Sequence, residues 1–129
     1  MTEYLRPDGW KRPDGYSDGT KGSGDLVFVA GQIGWAKDGI LAKGFVSQVR
    51  QALNNVVAVL ESGGAGPEHV TRMTWYVVDI DEYRAARSDV GKVYSDVMGK
   101  HYPAMSLVEV NRLVENGARV EIEATAIVP

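Results

Sequence analysis

The chain has 129 residues, of which 44% are hydrophobic and 24% charged, a balance that predicts one domain with its own core and excludes global disorder. Its net charge of -3 provides no positive field to gather phosphates, which argues against a nucleic-acid partner. The absence of cysteine excludes disulfides, thiolate metal sites and a cysteine nucleophile.

The sequence also gives an expectation about location. No apolar segment approaches the roughly 20 residues that are needed to cross a bilayer. Residues 1–10 contain no apolar stretch of the kind found in secretion signals. We therefore expect a cytoplasmic protein with no membrane partner.

The N-terminal part is rich in turn formers. Arg-Pro-Asp-Gly occurs at 6–9 and again at 12–15, and without an apolar unit these copies predict two turns rather than a repeat. A short strand fits around Ser17 to Lys21. The β-branched and aromatic residues from Asp25 to Gln32 predict the first long strand.

Two helices follow from apolar residues at helical spacing. The first is predicted from Gly44 to Ser62, and the glycines at 63 and 64 should end it. The second is predicted to run to about Met98, with either Asp79 or Asp81 as its N-cap.

Three more strands are predicted, at 70–79, 104–110 and 118–128, with a turn at Asn116-Gly117 between the last two. Because each helix lies between strands, the crossovers should return the chain to one sheet. We therefore predict a single α+β domain over residues 1–129, with a mixed sheet and two helices on one face.

The sheet should have one apolar and one mixed face. In the last strand Ile122 and its apolar neighbours alternate with Glu121 and Glu123. In strand 104–110 we predict that Ser106 and Val108 lie under the helices, whereas Leu107 lies with the carboxylates. The mixed face is either solvated or an interface between subunits that creates clefts.

The motifs of this chain resemble those of the Rid/YjgF family, also called the reactive intermediate deaminase or perchloric-acid-soluble protein family. They run in the family's order across nearly the whole chain. The matching segments are 14–16, 27–33, 51–57, 70–79, 102–106, 108–110, 112–113 and 120–124.

The resemblance implies a chorismate-mutase-like fold that assembles as a homotrimer, with the sheets lining the centre and three ligand clefts between subunits. It also implies hydrolysis of a small enamine or imine metabolite to a keto acid and ammonia, without a cofactor. The expected partners are therefore further copies of the chain and a small molecule.

One position departs from the family pattern. Met105 occupies the place of the arginine that binds the substrate carboxylate, so the chain resembles a divergent branch. Losing such a charge-assisted contact costs about 1.5–3 kcal/mol of binding, unless Arg72 or Arg112 compensates. The alternative function is a non-catalytic trimer that binds a metabolite or a protein. RNA cleavage, a third hypothesis, is disfavoured by the acidic charge.

The resemblance assigns candidate site residues. Glu121 matches the carboxylate that positions water, although a strand glutamate can also serve only as an ion-pair or hydrogen-bond partner. The predicted ligand-binding residues are Tyr16, Gly31, Gln32, Met105, Ser106 and Leu107. No metal site is expected, because His69 and His101 have no metal-ligand spacing.

Overall fold

The computed structural model describes residues 2–129. Its strands and helices, in chain order, are β1 (Glu3–Leu5), β2 (Gly19–Lys21), β3 (Asp25–Ile33), α1 (Phe45–Ser62), β4 (Val70–Val77), α2 (Ile80–Ala85), α3 (Arg87–Met98), β5 (Ala104–Glu109) and β6 (Val120–Val128). A 3₁₀ turn at Pro67–His69 precedes β4. None of the helices in residues 2–129 has the length and apolar character required to span a lipid bilayer.

Four strands form the main sheet in the order β3-β6-β4-β5. β6 pairs antiparallel with β3 and β4, and β4 pairs parallel with β5, so the predicted α+β fold with a mixed sheet is confirmed. The turn at Asn116-Gly117 is present, but the strands it connects are not neighbours because β4 lies between them. β1 and β2 form a separate two-stranded sheet, and β1 was missed because three residues give no usable alternation.

The core lies between the main sheet and helices α1 and α3. The helical spacing predicted for α1 is confirmed, since Val49, Leu53, Val56 and Leu60 are completely buried. Ile122 on β6 is also completely buried and faces this layer. These side chains hold α1 against the sheet, because burying each one is worth about 1.5–3 kcal/mol relative to exposure.

The second predicted helix is divided at Ala86 into α2 and α3. The backbone N–H of Ala86 donates to the carbonyls of Glu82 and Tyr83 at 3.2 and 3.0 Å, and the second of these bonds is the tighter 3₁₀ type. Glu82 also binds the guanidinium of Arg119 at 2.7 Å. α2 is thereby attached to the chain before β6, whereas α3 packs on α1. We attribute the break to these separate attachments.

The predicted faces of strand 104–110 were wrong. The parallel register pairs Met105 with Met73 and Leu107 with Trp75. Met73 and Trp75 are buried under the helices, so Met105 and Leu107 lie on the helix side and Ser106 on the open side. In the same register, Trp75 on β4 faces the helices, and Tyr76 faces the open side.

Candidate functional site

The open face of the sheet carries a carboxylate cluster at its centre. The hydroxyl of Tyr76 on β4 donates to Glu123 on β6. This hydrogen bond, burial and the charges of Glu123 and Glu121 raise the pKa of Tyr76, and Arg72 opposes them. Glu123 is therefore engaged within its own chain.

Glu121 is positioned by a bulge in β3. The pairing of β3 with β6 shifts register between Val29 and Gln32, so that Ala30 and Gly31 together stand opposite one residue of β6. A Cβ at position 31 would stand 2.0 Å from Oε2 of Glu121, so only glycine leaves room for this carboxylate. Gln32 is held locally, because its Nε2 donates to the carbonyl of Ala30 at 3.0 Å. The structure thus brings together Gly31 and Glu121, two of the predicted site residues.

Glu121 differs from its neighbour in having no hydrogen-bond partner among residues 2–129. It is half-buried against the backbone of β3. A carboxylate that is partly shielded and not engaged can orient a water molecule and accept its proton. The family resemblance implied this chemistry for Glu121, and the role stays a prediction.

A second feature, the helix-side cleft, lies between the N-terminal segment, helices α2 and α3, and the ends of β4 and β5. Its volume is about 1050 Å³, and three predicted ligand-binding residues, Tyr16, Met105 and Leu107, line it. Tyr16 is held beside β5 by Ser17, whose backbone N–H donates to the carbonyl of Pro103 at 3.0 Å. The Ser17 hydroxyl also donates to the carbonyl of Tyr102.

The floor of the helix-side cleft is aromatic. The rings of Tyr94 and Tyr102 stack with their centroids 5.5 Å apart, and Trp75 lies 6.4 Å from Tyr94. Burial raises the pKa of Tyr94, whose hydroxyl donates to the carbonyl of His101. The indole Nε1 of Trp75 is buried and has no acceptor among residues 2–129. The floor is therefore held together by ring contacts and by the hydrogen bond of Tyr94.

The predicted site residues do not meet in one place within a single chain. Tyr16, Met105 and Leu107 line the helix-side cleft, whereas Glu121 lies on the open face. Ser106 is on the open face too, on the edge strand β5 and two strands away from β6, at a separation of about 10 Å. One sheet thus separates the predicted catalytic carboxylate from Tyr16, Met105 and Leu107, whereas Gly31 and Ser106 lie on its own side.

Neither arginine proposed to compensate for Met105 lines the helix-side cleft. Arg72 is exposed on the open face, beside Glu123, and Arg112 is exposed beyond the end of β5. The cleft has other cations, which the sequence analysis missed because they come from three separate segments. These are Arg6, Arg12, Arg87 and Lys100.

The two histidines lie at the ends of elements, His69 in the 3₁₀ turn before β4 and His101 between α3 and β5. Nδ1 of His69 accepts the backbone N–H of Gly66 at 3.0 Å and closes the 3₁₀ turn before β4. Among residues 2–129, no group of three or more histidine, aspartate and glutamate side chains is arranged to hold a metal ion.

The family model described as endoribonuclease L-PSP matches residues 10–128. The chain belongs to the Rid/YjgF family. It is 35% identical over 129 residues to the RutC family protein PH0854 of Pyrococcus horikoshii, with 98% of each chain covered. It is 33% identical over 108 residues to the 2-iminobutanoate/2-iminopropanoate deaminase of Salmonella typhimurium, covering 81% of this chain and 80% of that protein.

The fold of this Rid protein also matches a solved structure of the family. The Rid family protein YyfB from Yersinia pestis superposes with a TM-score of 0.86 over 98% of both chains, at 28% identity. Family membership, which the order of motifs predicted, is confirmed. The family includes proteins named as imine deaminases, so the family-level expectation of imine deaminase chemistry is also supported.

Proposed function

We propose that this Rid protein is a hydrolytic deaminase of a small enamine or imine, working in clefts between the subunits of a homotrimer. The reaction adds water to the C=N carbon and releases ammonia, leaving a carbonyl product. The deaminase names of two relatives, from Salmonella typhimurium and Capra hircus, support this reaction class.

The observation that carries the proposal is the state of Glu121. Its neighbour Glu123 is engaged by Tyr76, whereas Glu121 is held against the bulge at Gly31 without a hydrogen-bond partner in residues 2–129. Glu121 would orient the attacking water and take one of its protons as the new C–O bond forms. The same carboxyl would then pass this proton, and after it the hydroxyl proton of the carbinolamine, to the nitrogen, so that the C–N bond breaks, ammonia leaves and the carbonyl forms.

Trimer formation is supported by the apolar residues of the open face. Phe28 is 71% exposed in the single chain, and Leu26 and Val108 are 56% and 45% exposed. Phe28 and Val108 lie on strands that flank the carboxylates, Leu26 lies further along β3, and covering such an exposed apolar patch is favourable. Packing of open faces around a threefold axis would also let Glu121 of one copy approach the Met105 side of another, which one chain alone does not allow.

Met105 favours a second candidate, the non-catalytic binding trimer. Its thioether offers no charge and no hydrogen-bond donor to a substrate carboxylate, and it is half-buried in the helix-side cleft. Screening stable metabolites by thermal shift addresses this candidate, since a ligand that binds only the folded state raises the melting temperature. Stabilisation without turnover of any imine would favour the binding function.

The test of the deaminase follows the release of ammonia and keto acid from freshly generated imines. Glu121→Gln should lower kcat by a factor of at least about 100, because the general base is lost. Glu115→Gln is the matched control, since it removes the same charge from an exposed loop residue. A rate no greater than that of buffer over a broad panel of imines, or equal rates for the two variants, would reject the proposal.

A further inference from the structure

We propose that the helix-side cleft binds an aromatic carboxylate, and that its anionic group is held by Arg87, at the start of α3, instead of a cation on strand β5. The proposal rests on the proposed function in taking this cleft as the substrate site. It adds the class of substrate: a planar apolar body with one negative group.

The charge of the cleft is opposite to that of the whole chain. Four cations line it, and the only carboxylates among the lining residues are Asp14 and Asp18, which leaves a formal excess of two positive charges in a chain of net charge -3. The ion pairs found among residues 2–129 involve none of these four cations. Unpaired cations around a concave site with low-dielectric walls attract an anion.

The positions of these cations define where the anion would bind. Arg87 begins α3 on one side of the cleft, and Arg12 belongs to the N-terminal segment that also carries Tyr16. Lys100 follows Met98, the last residue of α3, so it lines the cleft about 18 Å along the helix from Arg87 and adds to the positive field without sharing its contact. All three lie on segments outside the sheet, whereas Met105 belongs to the sheet wall. A ligand that spans the cleft therefore meets charge at the rim and an apolar surface at the wall.

The apolar part of the cleft is suited to a flat ring. Five of the six tyrosines of the chain line it, all except Tyr76, together with Trp75. Aromatic floors favour offset or edge-to-face contacts with another ring. A methionine thioether also makes favourable contacts with aromatic rings, so Met105 suits this ligand class better than the arginine it replaces.

The test measures binding of stable probes by titration calorimetry and needs no turnover. Phenylacetate should bind at least about ten times more tightly than phenylacetamide, which lacks the charge, and than propanoate, which lacks the ring. Arg87→Gln should weaken phenylacetate binding about ten-fold. Arg84→Gln, which removes the same charge from α2 outside the cleft, should leave it unchanged.

A second readout locates the probe. The chain has three tryptophans, and only Trp75 lines the cleft. In a ¹H–¹⁵N spectrum, phenylacetate should shift the indole signal of Trp75 and leave those of Trp10 and Trp35 in place. Binding of phenylacetamide as tight as that of phenylacetate, equal losses in Arg87→Gln and Arg84→Gln, or no shift at Trp75 would each overturn the proposal.

These outcomes are separate from those of the deaminase test. Charge-selective binding of phenylacetate without imine hydrolysis would retain this inference and reject the catalytic function. Hydrolysis of imines with no preference for an aromatic anion would retain the catalytic function and reject this inference.

Discussion

Glu121 and Met105 lie on opposite faces of one sheet, on strands β6 and β5, which are separated by β4. A catalytic carboxylate and a ligand-binding wall that are separated in this way can act on one molecule only if a second copy of the chain places its Glu121 beside the cleft of the first. The proposed function therefore links activity to assembly, and the following predictions test each of them.

The close approach of Gly31 to Glu121 predicts that Gly31→Ala reduces deaminase activity more than stability. The new methyl group would displace only the end of a flexible side chain, because the atoms it meets are Oε2, Cδ and Cγ of Glu121. We expect a loss of kcat of at least ten-fold, with the free energy of unfolding changed by no more than about 1 kcal/mol. Paired kinetics and urea denaturation measure both quantities.

The control for that prediction is Gly19→Ala on β2. A methyl group there meets the side chain of Leu5 at 3.6 Å, which is ordinary contact. Activity equal to that of the wild type in both variants would show that the contact between Gly31 and Glu121 has no part in the reaction.

Replacing an exposed apolar residue on the open face should change the assembly. Phe28→Glu adds a charge to each copy at the surface where trimer contacts are proposed, and like charges brought together there repel. Sedimentation or light scattering should give three times the 14.0 kDa mass of one chain for the wild type and a smaller mass for the variant. Ile40→Glu, at a residue that is 67% exposed on a loop, should keep the wild-type mass.

Introducing the arginine of the family pattern should widen the range of ligands. In Met105→Arg a guanidinium would enter the helix-side cleft next to Leu107 and offer two parallel hydrogen bonds to a carboxylate. We expect kcat/KM for small aliphatic imino acids to rise about 10- to 100-fold. Met105→Leu, which keeps the wall apolar, should give no such rise. A gain of the same size in Met105→Leu would exclude charge as the cause.

Alkaline pH should destabilise the fold through Tyr94. Burial raises the pKa of this tyrosine above its ordinary value of 10.0, so the neutral form is favoured in the folded state. Its contribution to stability is complete below pH 10 and declines as the pH rises above it, because the unfolded chain loses the proton first. Urea midpoints measured between pH 8 and 11 should fall less steeply for Tyr94→Phe than for the wild type.

The matched control is Tyr16→Phe, which removes a hydroxyl from an exposed ring. It should follow the wild-type decline. A decline in Tyr94→Phe as steep as that of the wild type would assign the alkaline sensitivity to other groups.

The regular elements could be predicted because their patterns are local. Alternation is strong in β4 and β6, and the helical spacing of α1 continues over five turns between Phe45 and Ser62. Family order then predicted both the fold and the position of Glu121. The faces of β5 were assigned wrongly because Ser106 and Val108 together are not polar enough to exclude a buried position. Only the register with β4 decides which face of β5 is buried.

The break at Ala86 and the cations of the cleft have no local signal. Ala86 is a good helix former, and the break depends on a contact between Glu82 and Arg119, 37 residues apart. The cleft collects residues from both ends of the chain, such as Arg12 and Arg87. Features created by long-range contacts of this kind emerge only after the chain has folded.

The hydrogen bonds from Ser17 to the carbonyls of Tyr102 and Pro103 have a consequence for how a ligand enters and leaves. They fasten the backbone beside Tyr16 to the start of β5, so this loop does not open as a hinged flap without breaking them. The Tyr16 ring, 44% exposed, remains free to rotate. The Tyr16 side chain can therefore change rotamer while its loop stays in place, within the picoseconds to nanoseconds typical of exposed side chains.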